Sequence, residues 1–236
     1  MKVRRIVSII LNLGVVIMVA LSVAFMVTGY KFMGESNSLT ASNINAFKFF
    51  TVDSNVLMAV VALIYIVFEA LLLGGKLQKI PTWLHILKLV GTAGVTLTLM
   101  TVVLFLAPLV AAGGHPLGYW ALFYNSNLFL HLLAPVFAIA AFVFCETTDS
   151  IAWRYSWLGI VPMGIYSIYY AANALSHAVD GKVSPVYDWY YFVQGGVWQI
   201  AIVLPLMLGM SYLFSWLLWL GNRGMHKVYL PKAPTE

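Results

Sequence analysis

Apolar residues fill six long stretches of this chain, and polar residues gather between them. A helix of about 20 apolar residues crosses the hydrocarbon core of a bilayer, and each stretch reaches that length. The pattern therefore predicts an all-α integral membrane protein, with residues 1–236 forming a single domain, a six-transmembrane-helix bundle. The predicted spans are about 6–28, 47–72, 85–110, 122–145, 155–178 and 194–220.

The composition supports a multi-pass membrane protein. The chain is 62% hydrophobic and only 9% charged, whereas soluble domains carry about 25% charged residues. The first apolar stretch, 6–28, is longer than the core of about 7–15 residues in a signal peptide, so we expect it to be retained. With Cys145 as the single cysteine, no intramolecular disulfide can form.

Lysine and arginine are distributed unevenly between the two sets of connections. Because cytoplasmic loops are enriched in these residues, their distribution predicts the orientation of the bundle and needs no nucleic-acid partner. One side carries three, Lys31, Lys48 and Lys182, and the other carries nine, Lys2, Arg4, Arg5, Lys76, Lys79, Arg154, Arg223, Lys227 and Lys232. Both termini are therefore predicted to be cytoplasmic.

The second span begins with a polar turn, in the sequence FKFFTVDSNVLMAV at residues 47–60. Thr51 and Asn55 are four residues apart and share a helix face, with Ser54 beside them. Polar groups at membrane depth are costly unless they are paired or used. The alternatives are back-bonding of the threonine, helix–helix bonding by the asparagine, and a hydrated Asp53 at the interface.

The fourth span carries a histidine about 14 Å below its start, from the helical rise of about 1.5 Å per residue. Tyr124, Asn127 and His131 follow one another at i, i+3 and i+7, which predicts one shared face. The residues leave open whether His131 packs against a neighbouring helix or belongs to a functional site.

The fifth span is predicted to line a cavity that opens outward, through a stripe of Tyr166, Tyr169 or Tyr170, Asn173 and His177. The following connection contains SPVYDWYYF at residues 184–192, whose aromatic residues are typical of a membrane interface. Asp188 in this segment is expected to cap the cavity or a helix.

The third span begins with His85 and Lys88, which we interpret as surface anchors, with the lysine reaching back to the interface. Glu69 is expected to pair with Lys88 or Lys76 in a structural role.

Three functions fit these residues. A hydroxyl, an imidazole and asparagine amides are the groups of nucleophilic ester hydrolysis. Polar residues at bilayer depth also occur in transporters, although paired broken spans are missing here. A haem or metal site is disfavoured because His85 and His131 enter from opposite faces, so we expect no metal and no cofactor.

Two segments, FKFFTVDSN and NLFLHLLAP, together with SPVYD resemble the androgen-induced membrane hydrolase family, which includes the androgen-dependent regulator of tissue factor pathway inhibitor and bacterial relatives. The resemblance follows the length of the chain and implies six helices. It differs at Asp53, where bacterial relatives have a neutral residue, and in the late loop, where they have two Tyr-Pro pairs.

The resemblance implies a metal-independent threonine hydrolase that cleaves fatty acid esters of hydroxy fatty acids, in a bacterial cell membrane. The nucleophile maps onto Thr51 and the histidine onto His131. Non-catalytic lipid binding or small-solute transport is the alternative. The expected partners are a lipid ester or acyl chain and the membrane lipids. The expected supporting residues of the cavity are Ser54, Asn55, Tyr124, Asn127, Tyr170, Asn173 and Asp188.

Overall fold

Six helices long and apolar enough to cross a membrane form the body of the protein. A computed structural model describes residues 2–34 and 39–230. The helices are α1 (Lys2–Thr28), α2 (Phe50–Leu73), α3 (Thr82–Ala112), α4 (Ser126–Cys145), α5 (Trp153–Ser176) and α6 (Val197–Tyr229). A two-residue antiparallel strand pair, β1 (Ala178–Val179) and β2 (Lys182–Val183), lies between α5 and α6.

Helix α3 lies at the centre of the bundle and packs against α2, α4, α5 and α6. Its glycines permit the close approach of α2, since a Cβ on Gly91 would lie 3.1 Å from the sulfur of Met58. A Cβ on Gly94 would lie 3.3 Å from the Cβ of Ser54. Small residues at such contacts let helix backbones pack closely, which drives association inside a membrane.

Large apolar side chains cover the outside of the bundle. Ile165 and Ile168 on α5 are 67% and 73% exposed, and Leu104 on α3 is 66% exposed. A soluble protein rarely exposes so much contiguous apolar surface, whereas lipid chains solvate it. The six-helix plan predicted from the sequence is therefore confirmed.

The helix boundaries differ from the sequence prediction by a few residues at most ends, and by more at the end of α6. Helix α4 begins at Ser126 rather than near 122, because Asn125 has a positive φ of 53° and interrupts the helical backbone. Residues Gly118–Phe123 form a separate 3₁₀ helix. Helix α6 ends at Tyr229, well beyond the predicted end at 220.

The connections α1–α2, α3–α4 and α5–α6 meet at one end of the bundle, the Thr51 end. The opposite end, the Lys88 end, carries the remaining connections. The three connections at the Thr51 end hold few basic residues. We therefore expect this end to face away from the cytoplasm.

Cysteine accessibility tests this orientation. Lys182→Cys and Lys76→Cys change exposed residues at the two opposite ends. In a Cys145→Ala background, Lys182→Cys should react with an impermeant thiol reagent on intact cells, and Lys76→Cys only after permeabilisation. The reverse pattern would invert the bundle. Ser38, an obvious third site for labelling, lies outside the described residues.

Lys88 is fully buried, so its interpretation as a surface anchor is wrong, and His85 is only 8% exposed. The Lys88 ammonium lies 3.1 Å from Oε1 of Glu146, and both side chains are inaccessible. Asn12 also hydrogen-bonds both of these groups. The expected partner was Glu69, but among the described residues only Glu146 lies at ion-pair distance from Lys88.

Candidate functional site

A cavity of about 590 Å³ opens at the Thr51 end, between α2, α3, α4 and the loop that follows β2. Thr51 and His131 both line it, as does Asn127. Thr51 lies on α2 and His131 on α4, so the fold brings together the two groups that the sequence singled out. No hydrogen bond joins Thr51 to His131 in the described structure. The two residues line the same cavity.

Thr51 lies in the first turn of α2, directly after the extended residue Phe49. The amides of Val52 and Asp53 bond back to the Phe49 carbonyl, at 3.0 and 3.4 Å. The Tyr190 phenol lies near the earlier amides, those of Phe50 and Thr51. The first amides of a helix have no carbonyl partner within the helix, so they are available to a negatively charged group.

His131 has a defined tautomer. Its Nδ1 lies 2.6 Å from the carbonyl oxygen of Leu122, and a carbonyl can only accept. Nδ1 therefore carries the proton, and Nε2 keeps its lone pair. Nε2 has no hydrogen-bond partner among the described residues, which leaves it free to act as a base towards the cavity.

A π-helical turn, Phe129–Leu133, holds His131. The amide of Ala134 bonds to the Phe129 carbonyl, five residues back, and Pro135 has no amide hydrogen. The Leu130 carbonyl therefore lacks a helical donor. π-turns of this kind are frequent at functional sites.

Asn55 links this turn to α2. Its Nδ2 donates to the Leu130 carbonyl at 3.0 Å and to the Thr51 carbonyl at 2.8 Å. One buried amide thus connects the backbone of Thr51 with the residue preceding His131. Asn55 is a positioning residue, and its side chain does not line the cavity.

Tyr190 is the residue that sequence reasoning missed, since its aromatic neighbours suggested an interface belt. Its side chain lines the cavity close to Thr51. Burial raises the pKa of the Tyr190 phenol to about 12, so it remains a neutral donor at physiological pH. The only sequence signal was an aromatic cluster directly before a span.

Asp188 fixes the backbone of this loop. Its carboxylate accepts from the amides of Phe192 at 2.8 Å and Val193 at 3.0 Å, and from the Tyr170 hydroxyl. Asn173 donates to the Tyr187 carbonyl at 2.8 Å. Tyr170, Asn173 and Asp188 therefore support the loop that carries Tyr190. They do not line the main cavity, whereas Tyr166 and Tyr169 of the same predicted stripe line a second cavity between α2 and α5.

The remaining expected residues lie at different places. Asn127 lines the cavity and donates to the Leu39 carbonyl at 3.0 Å. Tyr124 precedes α4 in an extended conformation, so the predicted helical face shared with His131 does not form. Ser54 points away from the main cavity and lies 3.1 Å from the Thr98 hydroxyl.

Asp53 and Ser54 line a second cavity of about 420 Å³ between α2 and α5, with Asp53 exposed. Asp53 therefore faces away from the cavity that Thr51 and His131 share. Its position matches the interfacial alternative.

Comparison of the chain with protein-family models, with curated proteins and with solved structures gave no match.

Proposed function

We propose that this protein is an intramembrane hydrolase of lipid esters, with Thr51 as the nucleophile and His131 as the general base. The observation that carries the proposal is the shared cavity, which contains a hydroxyl on α2 and an imidazole on α4. The Leu122 carbonyl holds that imidazole in the tautomer whose Nε2 is free. The resemblance of FFTVDSN and LHLLAP to the androgen-induced membrane hydrolase family supports the same pair.

The proposed reaction has two balanced steps. Thr51 Oγ1 attacks the ester carbonyl carbon while its proton passes to His131 Nε2, directly or through a water molecule. The C–O bond then breaks, the alcohol leaves with that proton, and Thr51 carries the acyl group. Water attacks the acyl-threonine with the help of His131, and the fatty acid and the free threonine are released.

The oxyanion of each step needs fixed donors. The proposed donors are the neutral Tyr190 phenol and the first amides of α2, at Phe50 and Thr51, which lie near the nucleophile. In the proposed reaction the substrate oxyanion takes up hydrogen bonds from these groups. The positive end of the α2 dipole adds to this stabilisation.

The walls of the cavity suit an acyl chain. Leu106 and Val110 of α3 form one side, and Leu130 of α4 forms another. A lipid ester from the surrounding membrane is the proposed substrate, and fatty acid esters of hydroxy fatty acids are the first class to test. By the same resemblance, the proposed location is a bacterial cell membrane.

Non-catalytic transport or lipid binding is the second candidate. The observation that favours it is the buried pair of Lys88 and Glu146 inside the bundle, because ionisable groups at such depth often mark a pathway. This pair lies at the opposite end from Thr51. A transporter does not require a nucleophilic Thr51, so chemical labelling separates the two candidates.

An activated phosphonate, which carries a leaving group on phosphorus and a long acyl chain, is the direct test of the nucleophile. Purified wild-type protein in detergent should form a covalent adduct, which peptide mass spectrometry should locate at Thr51. His131→Ala should suppress the adduct because the hydroxyl loses its base. An unmodified Thr51 after prolonged incubation, in protein that retains its helical structure, would favour the transport candidate.

Tyr190→Phe should lower the hydrolysis rate about 10²-fold, the typical loss for one oxyanion donor. The ring keeps its contacts with Phe49 and Phe192, so thermal stability should change little. Because the phenol has a raised pKa of about 12, the wild-type rate should not fall near pH 10, where an ordinary tyrosine ionises.

The matched control for this substitution is Tyr191→Phe. Tyr191 is the adjacent tyrosine and also lines the cavity. The control should retain nearly full activity, since no role in the proposed reaction depends on its hydroxyl. Equal losses in the two variants would remove Tyr190 from the proposed site.

A further inference from the structure

Polar residues line the exposed end of the cavity, its mouth. A short 3₁₀ helix, Ile44–Lys48, precedes α2 and forms part of the mouth. Asn45 and Lys48 are three residues apart, so they lie on the same face of this helix. Thr40 and Ser42 line the mouth beside them. A ligand that fits this cavity combines an apolar chain with a polar head group.

Lys48 carries the only full charge among the described residues that line the cavity. The lining contains no aspartate or glutamate, and Lys48 has no salt-bridge partner within residues 2–34 and 39–230. Its ammonium lies 5.3 Å from the ring centre of Trp189 and 5.4 Å from that of Phe49. These aromatic faces stabilise a cation but do not neutralise it.

Lys48 is also close to the proposed nucleophile. Lys48 lies three positions before Thr51, so their α-carbons are at most about 11 Å apart even along an extended chain. A flexible lysine side chain covers much of that distance. A group bound by the ammonium therefore lies in the same cavity as an ester carbonyl at Thr51.

We propose that Lys48 binds an anionic group of the substrate, a carboxylate or a phosphate, and so selects acidic lipid esters over neutral ones. This inference rests on the proposed function and adds a specificity-determining residue to it. The anion replaces the missing partner of Lys48, and Asn45 supplies a neutral donor beside it. The apolar chain of the same molecule occupies the interior of the cavity.

Equilibrium binding tests the proposal without relying on catalysis. The probes are oleic acid, oleyl phosphate and methyl oleate, titrated into purified protein in a nonionic detergent. Wild-type protein should bind at least one of the two anions about 10- to 100-fold more tightly than methyl oleate, the range expected of a charged hydrogen bond. The tighter of the two anions identifies the head group.

Lys48→Met should abolish this preference, and Lys48→Arg should keep it. Lys182→Met is the matched control, because it removes one positive charge from the same end of the bundle without touching the cavity. The control should retain the full preference. Equal binding of anions and methyl oleate by wild-type protein would overturn the proposal, as would an equal loss of preference in Lys182→Met.

Kinetics then connect the anion site to hydrolysis. The substrates are a fatty acid ester of a hydroxy fatty acid and its carboxyl methyl ester. Lys48→Met should lower kcat/KM about tenfold or more for the acid alone. If Thr51→Ala hydrolyses both esters at wild-type rates while the binding preference persists, the proposed nucleophile fails and the anion site stands. A loss of kcat/KM that is the same for both esters would contradict a role of Lys48 in selection.

Discussion

Thr51→Ala protein should hydrolyse lipid esters at least about 10³-fold more slowly than wild type, because a missing nucleophile removes the covalent route. The substitution should leave the fold intact. The bonds from Ser54 and Asn55 go to the Thr51 carbonyl, at 3.2 and 2.8 Å, and alanine keeps that carbonyl. The side chain itself lines open cavity, so its removal creates little new void.

Three further variants complete this series. Thr51→Ser should retain measurable activity since it keeps the hydroxyl, whereas His131→Ala should be nearly as slow as Thr51→Ala. Thr101→Ala is the control, because it removes a threonine hydroxyl of α3 that does not line this cavity and has no partner among the described residues. Rates are measured with purified protein in detergent across several acyl-chain lengths. Equal rates for wild type and Thr51→Ala would refute the proposed nucleophile.

The six helices could be predicted from the sequence because each is a long apolar run, and the hydrophobic thickness of a bilayer fixes its length. The start of α4 could not be predicted in the same way. Apolar residues continue through Gly118–Phe123, yet Asn125 has a positive φ and its side chain accepts from the Met33 amide at 2.8 Å. Such a contact joins positions far apart in the chain, so a hydropathy pattern does not predict it.

The site was only partly predictable. Thr51 and His131 stood out because polar side chains are costly in a span, and they line one cavity. Tyr190 did not stand out, since a tyrosine beside a span is typical of any membrane interface. Its position depends on Asp188, whose carboxylate bonds to the loop backbone, and spacing in the sequence does not encode that contact.

Lys88 illustrates the same limit at the other end of the bundle. A lysine near the start of a span usually extends to the interface, and a hydropathy pattern treats an extended and a buried lysine alike. Its partner, Glu146, follows a different helix, α4. Only the packing of α1, α3 and α4 brings the two charges together with Asn12.

Glu146→Gln should reduce stability by about 3–5 kcal/mol, the usual loss when one partner of a buried ion pair is removed. The substitution leaves Lys88 charged and inaccessible, with the side-chain oxygen of Asn12 as its remaining hydrogen-bond partner. It also weakens the bonds that Ser8 and Asn12 donate to the Glu146 carboxylate, at 3.0 and 2.6 Å. For a chain of this size the midpoint of thermal unfolding should fall by about 6–20 °C.

Glu69→Gln is the matched control, because it is the same chemical change at a buried glutamate of the same end. Glu69 lies beyond ion-pair distance of any described basic group, and its Oε2 has no partner among the described residues. The midpoint of thermal unfolding should therefore change much less in Glu69→Gln than in Glu146→Gln. Replacing both charges, as in Lys88→Met with Glu146→Leu, should recover most of the lost stability, since no unpaired charge remains. If Glu69→Gln proves the more damaging of the two, then Glu69 rather than Glu146 is the carboxylate that Lys88 needs.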